Sequence, residues 1–155
     1  DGNVRIGGTY DRKERYIHPT VLDGVREDSP IMQEEIFGPL FPLLTFNTTD
    51  EAIAFVNRRE KPLALYYFGE DRGNIGKALR HTSSGGACVN DTIMHIANEN
   101  LPFGGVGQSG MGSYHGKGSF DAFSHRRSVV ETPTWIDLPF RYMPYKLFGL
   151  VKKLL

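Results

Sequence analysis

The segment from Leu101 to Gly112 reads LPFGGVGQSGMG and contains the spacing G-x-G-x-x-G between Gly105 and Gly110. In a dinucleotide-binding fold this spacing lies between a strand and a helix whose N-terminus faces a pyrophosphate. Here the nearest predicted strand ends near Asn90, and three further glycines in residues 111–118 oppose a helix. We therefore interpret these glycines as a tightly turning backbone with close approaches, not as a nucleotide fingerprint.

Other residues that could do chemistry give equally limited signals. The nucleophile elbow G-x-S-x-G is excluded because Met111 stands where the last glycine belongs. The single cysteine, Cys88, lies in a predicted buried strand, where a cysteine behaves as a small hydrophobic residue, so we do not predict that it is a nucleophile. One cysteine also excludes a disulfide framework. The five histidines show no metal-ligand spacing, and no metal is predicted.

Residues 40–90 alternate between apolar runs and segments with helical periodicity. The runs LFPLLTF, LALYYF and ACVN predict three strands, and Thr48 and Asp71 stand where N-caps of two intervening helices are expected. Apolar strands joined by crossover helices predict an α/β fold with a parallel sheet. Further along, a short helix is predicted at 119–123 and a late strand at Arg127–Thr132.

Composition and charge restrict the class of protein. The 155 residues carry 18 basic and 18 acidic side chains, and 39% of them are hydrophobic, as in ordinary globular domains. A nucleic-acid-binding protein would carry a basic surplus, so nucleic acid is not an expected partner. The chain starts Asp-Gly-Asn, without Met and without a signal peptide. We expect it to be a piece of a longer protein.

Two segments carry a family resemblance. They are QEEIFGP at 33–39 and LPFGGVGQSGMGSYHGK at 101–117, and the second is followed by FSHRR at 123–127. Both resemble signature segments of the NAD(P)-dependent aldehyde dehydrogenases, and the second resembles their class 3 branch, which includes fatty-aldehyde enzymes. The resemblance covers nearly all of residues 1–135 and implies the C-terminal part of the catalytic and oligomerisation region of such an enzyme.

The resemblance implies oxidation of an aldehyde, medium- or long-chain aliphatic or aromatic, to an acid with NAD or NADP. A cysteine thiolate attacks the aldehyde, hydride leaves for the cofactor, and a glutamate-activated water hydrolyses the thioester. The resemblance places the nucleophilic Cys, the base Glu and the oxyanion Asn upstream of the EEIFGP segment. No catalytic residue is therefore expected within this chain, which alone is expected to be inactive.

Five residues match family site positions. The resemblance assigns Glu35 to the nicotinamide ribose hydroxyls and Phe37 to the nicotinamide side of the cofactor, and it assigns Ile96, Phe103 and His115 to the aldehyde pocket. Three of them have an alternative interpretation. Glu35 could be a solvated surface charge, Phe37 could be a core residue, and His115 could be a structural histidine bonded to backbone.

Residues 136–155 depart from the signature region and form a separate tail. Its apolar residues fall on one helical stripe beside three lysines, which is typical of an amphipathic helix on a membrane surface, on a partner or on its own protein. A cytoplasmic location with membrane-surface contact is expected, and the resemblance implies a homodimer that uses the strand at 127–132. Two other functions stay open at this point: a non-catalytic scaffold or oligomerisation module, and a reductive relative that acts on an acyl donor.

Overall fold

Short strands alternate with short helices along the chain, of which a computed structural model describes residues 2–137, 142–144, 149 and 152–153. The strands in this part are β1 (Asn3–Ile6), β2 (Tyr10–Asp11), β3 (Tyr16–Ile17), β4 (Thr20–Asp23), β5 (Leu40–Pro42), β6 (Ala64–Tyr67) and β7 (Gly86–Val89). The helices are α1 (Thr49–Asn57), α2 (Arg72–His81), α3 (Met94–Ala97) and α4 (Gly116–Ala122), and 3-10 turns lie at Pro30–Met32 and Gly107–Ser109.

The predicted strand–helix alternation over residues 40–90 is confirmed as β5–α1–β6–α2–β7, and the fold is α/β. Two strand pairs are parallel, β4 with β5 and β6 with β7, and β1 lies antiparallel on the other side of β4. The three predicted strands do not pair consecutively, because β5 bonds to β4 and not to β6 within the described residues. Pro42 lacks an N–H to donate, which suits β5 to the edge of its sheet.

The predicted N-caps of α1 and α2 are confirmed. The Thr48 hydroxyl accepts from the Glu51 amide at 3.2 Å, and the Glu51 carboxylate accepts from the Asn47 amide at 2.9 Å. At α2 the Asp71 carboxylate accepts from the Asn74 amide at 2.7 Å. Each cap satisfies amides that the first helical turn leaves without a carbonyl partner.

Two predicted elements differ in the structure. The predicted helix at 119–123 begins earlier, at Gly116, and residues 94–97, which show no clear periodicity, form one helical turn. The predicted strand Arg127–Thr132 is not a strand in the structure, and all six of its residues are exposed. A strand needs a neighbour for its backbone hydrogen bonds, and no described segment pairs with this one.

The apolar surface of the chain is largely uncovered. Among the described residues, the buried hydrophobic ones are Val25, Ile75 and Ala78. The accessible surface is 13074 Å², whereas a monomeric globular protein of this mass exposes roughly 7,900 Å². The helices and strands are therefore held by local pairing, and their apolar faces remain open for other protein surface to cover.

Candidate functional site

Five rings form one connected group, called here the aromatic cluster: Tyr66, His95, Phe103, Tyr114 and His115. They come from β6, from α3, from the start of the glycine-rich loop and from the two residues before α4. The cluster brings together two predicted pocket residues, Phe103 and His115, whose ring centroids are 6.2 Å apart. The third, Ile96, lies half-buried beside His95 on α3.

Phe103 is at the centre of the aromatic cluster. Its ring centroid lies 5.9 Å from that of His95 and 5.6 Å from that of Tyr114, which it meets edge to face. Tyr114 and His115 are in closer edge contact, at 4.4 Å. Such geometries are the favourable ones for aromatic pairs. The arrangement makes an apolar wall with histidine nitrogens at its margin.

His95 is the buried member of the cluster, with 8% of its surface exposed. Its Nδ1 lies 3.3 Å from the Cys88 Sγ, and its ring meets Tyr66 edge to face at 5.8 Å. Tyr66 and Cys88 stand opposite each other in the parallel register of β6 and β7, so their side chains share one face of that pair. The His95 ring therefore lies on this face of the sheet.

His115 is held by its backbone and leaves a ring nitrogen unused. Its amide donates to the Ser119 hydroxyl at 2.8 Å, while Nδ1 is buried without a hydrogen-bond partner among the described residues. A buried polar atom left unsatisfied costs about 1–3 kcal/mol. The alternative interpretation expects the ring to bond to backbone, and no described residue makes such a bond to Nδ1, so this nitrogen is available to a further polar group.

Three charged residues on and after α4 form ion pairs: Lys117, Asp121 and Arg126. Asp121 accepts from Arg126 at 2.9 Å and from Lys117 at 3.1 Å. The hydrogen bond from Arg126, and then that from Lys117, hold the pKa of the Asp121 carboxyl below its usual range. These contacts tie the segment after α4 back to the helix.

The glycine-rich loop folds against itself. A Cβ added to Gly104 would lie 2.1 Å from the Gly112 carbonyl oxygen, and one added to Gly105 would lie 2.1 Å from that of Ser109. The Val106 amide donates to the Ser109 hydroxyl, which in turn donates to the Val106 carbonyl. Gly107–Ser109 is one 3-10 turn with no α-helix behind it. The loop thus lacks the strand–turn–helix setting that a dinucleotide fingerprint needs.

The loop with Glu35 and Phe37 lies at a second position, between the Pro30–Met32 turn and β5. Glu35 is exposed, and its carboxylate has no hydrogen bond or ion pair among the described residues, so both oxygens can accept. It lines a cleft of about 550 Å³ together with Glu27, Gln33, Arg58 and Arg59. Phe37 is 90% exposed, so its ring is not part of a core formed by the described residues.

Arg59, two residues after the end of α1, holds this loop by hydrogen bonds to the loop's backbone carbonyls. Its guanidinium donates to the Met32 carbonyl at 2.6 Å and to the Glu27 carbonyl at 3.2 Å, and it lies 4.8 Å from the Phe55 ring centroid. Gln33 donates to the same Glu27 carbonyl. Because guanidinium hydrogen bonds are charge-assisted and rigidly oriented, Arg59 joins both sides of the turn that precedes Glu35.

Unusual backbone conformations accompany the candidate residues. Phe37, Ile93 and His115 have positive φ angles of 42°, 65° and 79°. Positive φ is uncommon outside glycine, and for β-branched Ile93, which precedes α3, it is a true outlier. Strain of this kind is typical of functional sites. Both the Glu35 loop and the aromatic cluster carry it.

Four residues of these sites had not been predicted from the sequence: Tyr66, His95, Tyr114 and Arg59. Tyr114 adjoins His115 in the quoted signature, which is a signal that could have found it, whereas the contacts of the other three depend on the fold. Within the described residues, no group of three or more potential ligands could hold a metal ion. The same part of the chain has no helix that is both long and apolar enough to span a membrane.

The chain is similar in sequence to known aldehyde dehydrogenases. The model of the aldehyde dehydrogenase family matches residues 1–129. The 4,4'-diaponeurosporen-aldehyde dehydrogenase of Staphylococcus aureus is 54% identical, over 93% of this chain and 31% of its own length. Aldehyde dehydrogenase family 3 member B1 of Rattus norvegicus is 56% identical over the same shares. The dimeric NADP-preferring aldehyde dehydrogenase of Mus musculus is 59% identical, over 82% of this chain and 28% of its own.

Solved structures of aldehyde dehydrogenases share the fold of this chain. The substrate-bound state of Staphylococcus aureus AldH superposes with a TM-score of 0.83 and 51% identity, and covers 98% of this chain and 33% of that one. The indole-3-acetaldehyde dehydrogenase AldA of P. syringae, in complex with NAD+ and IAA, has a TM-score of 0.71 and 33% identity, over 79% and 25%. This chain thus spans about a third of the length of the first of these relatives. The sequence identity, the fold and the family match agree, and the chain belongs to the aldehyde dehydrogenase family.

Proposed function

We propose that the full-length protein carrying this chain is an NAD(P)+-dependent aldehyde dehydrogenase, which oxidises an aldehyde to a carboxylic acid. The observation that carries this proposal is the convergence of Phe103 and His115 in the aromatic cluster of a chain that belongs to this family. A scaffold has no need for two buried histidine nitrogens without hydrogen-bond partners, because such atoms cost stability unless another group meets them.

Phe103, Ile96 and His115 line the aldehyde pocket in this proposal. Phe103 supplies an apolar wall for the carbon chain or ring of the substrate, and half-buried Ile96 extends it. The orphaned Nδ1 of His115 is available to a polar group of the substrate or of the remaining catalytic domain. An apolar and aromatic lining favours medium- or long-chain aliphatic aldehydes and aromatic aldehydes.

Glu35 and Phe37 fit the ribose and nicotinamide end of NAD or NADP. The free carboxylate oxygens of Glu35 can accept from two neighbouring hydroxyls, and the exposed Phe37 ring offers a flat apolar face. Acceptance of a hydride is the chemistry that this group supplies when bound. The role of this chain is to hold and orient the nicotinamide end of the cofactor, through a loop that Arg59 fixes.

The protein forms a homodimer in this proposal. Residues 127–132 have backbone donors and acceptors that no other described residue pairs with, and the side chains of Val129 and Val130 are exposed, which suits the segment to pair with a strand of a second copy. The similar enzyme of Mus musculus is named dimeric. The apolar surface left open elsewhere is covered by the remainder of the catalytic domain.

In this proposal the protein is cytoplasmic, and its C-terminal tail contacts the surface of a membrane. The predicted helical stripe of Leu147, Phe148, Leu150, Val151, Leu154 and Leu155 lies outside the described residues. Removal of residues 136–155, which are proposed as a unit separate from 1–135, should abolish co-sedimentation with anionic vesicles and leave turnover intact.

Turnover of aldehydes tests the proposal. Full-length protein is supplied with aliphatic aldehydes of increasing length and with benzaldehyde, each with NAD+ or NADP+, and reduced cofactor and acid product are measured. We expect turnover that improves with chain length, and none from residues 1–155 alone. Turnover by residues 1–155 would contradict the expectation that the nucleophile lies upstream. Reduction of acyl donors without aldehyde oxidation would support the reductive alternative.

A further inference from the structure

We propose that His95 is a positioning residue of the aldehyde pocket, and that Cys88 and Gly86 set where its ring lies. The inference rests on the proposed function, which assigns Phe103 to that pocket. In this interpretation a substrate never touches His95. The imidazole instead supports the Phe103 ring from behind and connects it to the β6–β7 strand pair.

The first step is the position of His95 behind Phe103. Phe103 has ring contacts with His95, Tyr114 and His115. Tyr114 is 51% exposed and His115 is half-buried, whereas His95 is buried. A neighbour that is itself free to move restrains a ring weakly, because exposed side chains change rotamer readily. His95 is therefore the neighbour that can define the position of Phe103.

The second step is how the sheet fixes His95. Gly86 and Cys88 are two residues apart on β7 and face the same side. A Cβ added to Gly86 would lie 2.4 Å from the His95 Cδ2, so the ring occupies the space that the missing side chain leaves. The Cys88 thiol lies 3.3 Å from Nδ1. If the His95 ring were flipped, a ring carbon would lie beside the thiol in place of Nδ1, and the hydrogen bond would be lost. The thiol therefore favours one of the two ring orientations.

The second ring nitrogen of His95, Nε2, is buried and makes no hydrogen bond to a described residue. A histidine that served only to fill space would be replaced by phenylalanine without this cost. The volume of the ring therefore does not explain why a histidine is present. We infer that its Nδ1, which contacts the Cys88 thiol, orients the ring.

The experiment compares two aldehydes in the full-length enzyme. Propanal is too short to reach far along an apolar wall, whereas cinnamaldehyde presents a large ring to Phe103. The variants are His95→Ala, His95→Phe, Gly86→Ala and Cys88→Ala, and the matched controls are His81→Ala, at an exposed histidine of α2, and Gly118→Ala, at a glycine with room for a Cβ. The readout is the KM for cinnamaldehyde divided by the KM for propanal, with the cofactor KM and Tm recorded.

We expect His95→Ala and Gly86→Ala to raise this ratio about tenfold, the scale of one lost aromatic contact. His95→Phe and Cys88→Ala keep a ring and should raise it about threefold, while the controls stay within about twofold of the wild-type ratio. A purely structural role would lower Tm and leave the ratio unchanged, because the ratio does not depend on the folded fraction.

Unchanged ratios in His95→Ala and Gly86→Ala would overturn the inference, and if either fails to fold, the same ratio in Cys88→Ala and His95→Phe decides. A cofactor KM that rises together with the cinnamaldehyde KM would also overturn it, since the effect would then be general. The proposed function fails separately, through a wild-type enzyme that oxidises neither aldehyde.

Discussion

The backbones of Phe103 and Tyr114 are joined by two hydrogen bonds, in which each amide donates to the other residue's carbonyl at 2.8 and 2.9 Å. This antiparallel bridge closes residues 104–113 into a loop and places both rings beside His115. The glycines inside the loop make the closure possible, because Gly104 approaches the Gly112 carbonyl too closely for any side chain. The loop thus shapes the aromatic cluster through its backbone.

The closure of this loop predicts opposite effects of alanine at two nearby glycines. Gly104→Ala should destabilise the full-length protein by about 2 kcal/mol or more, since the new methyl group would overlap a backbone oxygen. Gly118→Ala is the matched control, because its Cβ would meet neighbours only at ordinary distances of 3.6 Å and above. In α4 it should add about 0.5–1 kcal/mol of stability. Thermal unfolding measures both, and equal Tm values for the two variants would contradict this account.

Arg59 should affect cofactor binding without touching the cofactor. Arg59→Ala removes both donors that hold the Glu27 and Met32 carbonyls, so the Glu35 loop loses its support and the cofactor KM should rise about tenfold. Arg59→Lys should recover little of this, because an ammonium cannot reproduce the planar fork. Arg72→Ala is the control, since Arg72 is exposed at the start of α2 and does not line the cleft beside Glu35. A cofactor KM that rises equally in Arg72→Ala would refute a specific role.

Glu35 and Glu34 are adjacent exposed carboxylates that should behave differently. Glu35→Gln should raise the KM for NAD(P)+ about tenfold, as expected when a charge-assisted acceptor becomes neutral. Glu34→Gln serves as the control and should change it less than about twofold. Steady-state kinetics with the aldehyde saturating makes the comparison. If neither variant changes the KM, Glu35 is a solvated surface charge, which was the alternative interpretation.

The ion pairs of Asp121 should give a stability contribution with a defined pH dependence. Its pKa is lower in the folded chain than in the unfolded one, where it is about 3.9. The contribution is therefore complete above the unfolded pKa and is lost as the pH falls through the folded pKa. Asp121→Asn should lower Tm near neutral pH, and the difference from wild type should shrink as the pH falls below the unfolded pKa of about 3.9 and vanish once the pH is below the folded pKa. A difference that persists in acid would exclude this linkage.

Cys88 should not be the thiol whose alkylation inactivates the enzyme. It is half-buried on β7, and its sulfur lies 3.3 Å from the Nδ1 of His95, whose ring contacts Phe103. With limiting iodoacetamide, activity should be lost before Cys88 is modified, as peptide mapping by mass spectrometry can show. Modification of Cys88 in step with the loss of activity would assign the nucleophile to this residue instead.

Local chemistry explains which parts of the fold were predictable. Thr48 and Asp71 cap helices through contacts three residues away, and the apolar runs that became β5, β6 and β7 carry their own pattern. Residues 127–132 do not form the predicted strand in this chain, because strand pairing depends on a neighbouring segment that a local pattern does not supply. The short α3 has no periodic signal at all.

By itself, the sequence determined the α/β alternation, the helix caps and, through the EEIFGP and FGGVGQSGMG segments, the family. Those features depend on residues close together along the chain, where spacing and side-chain type are sufficient. Only the tertiary structure decided that His95 lies between Cys88 and Phe103, that Arg59 holds the loop before Glu35, and that the glycines contact one another. These contacts join distant segments, because strand register and loop closure bring together residues that no local pattern relates.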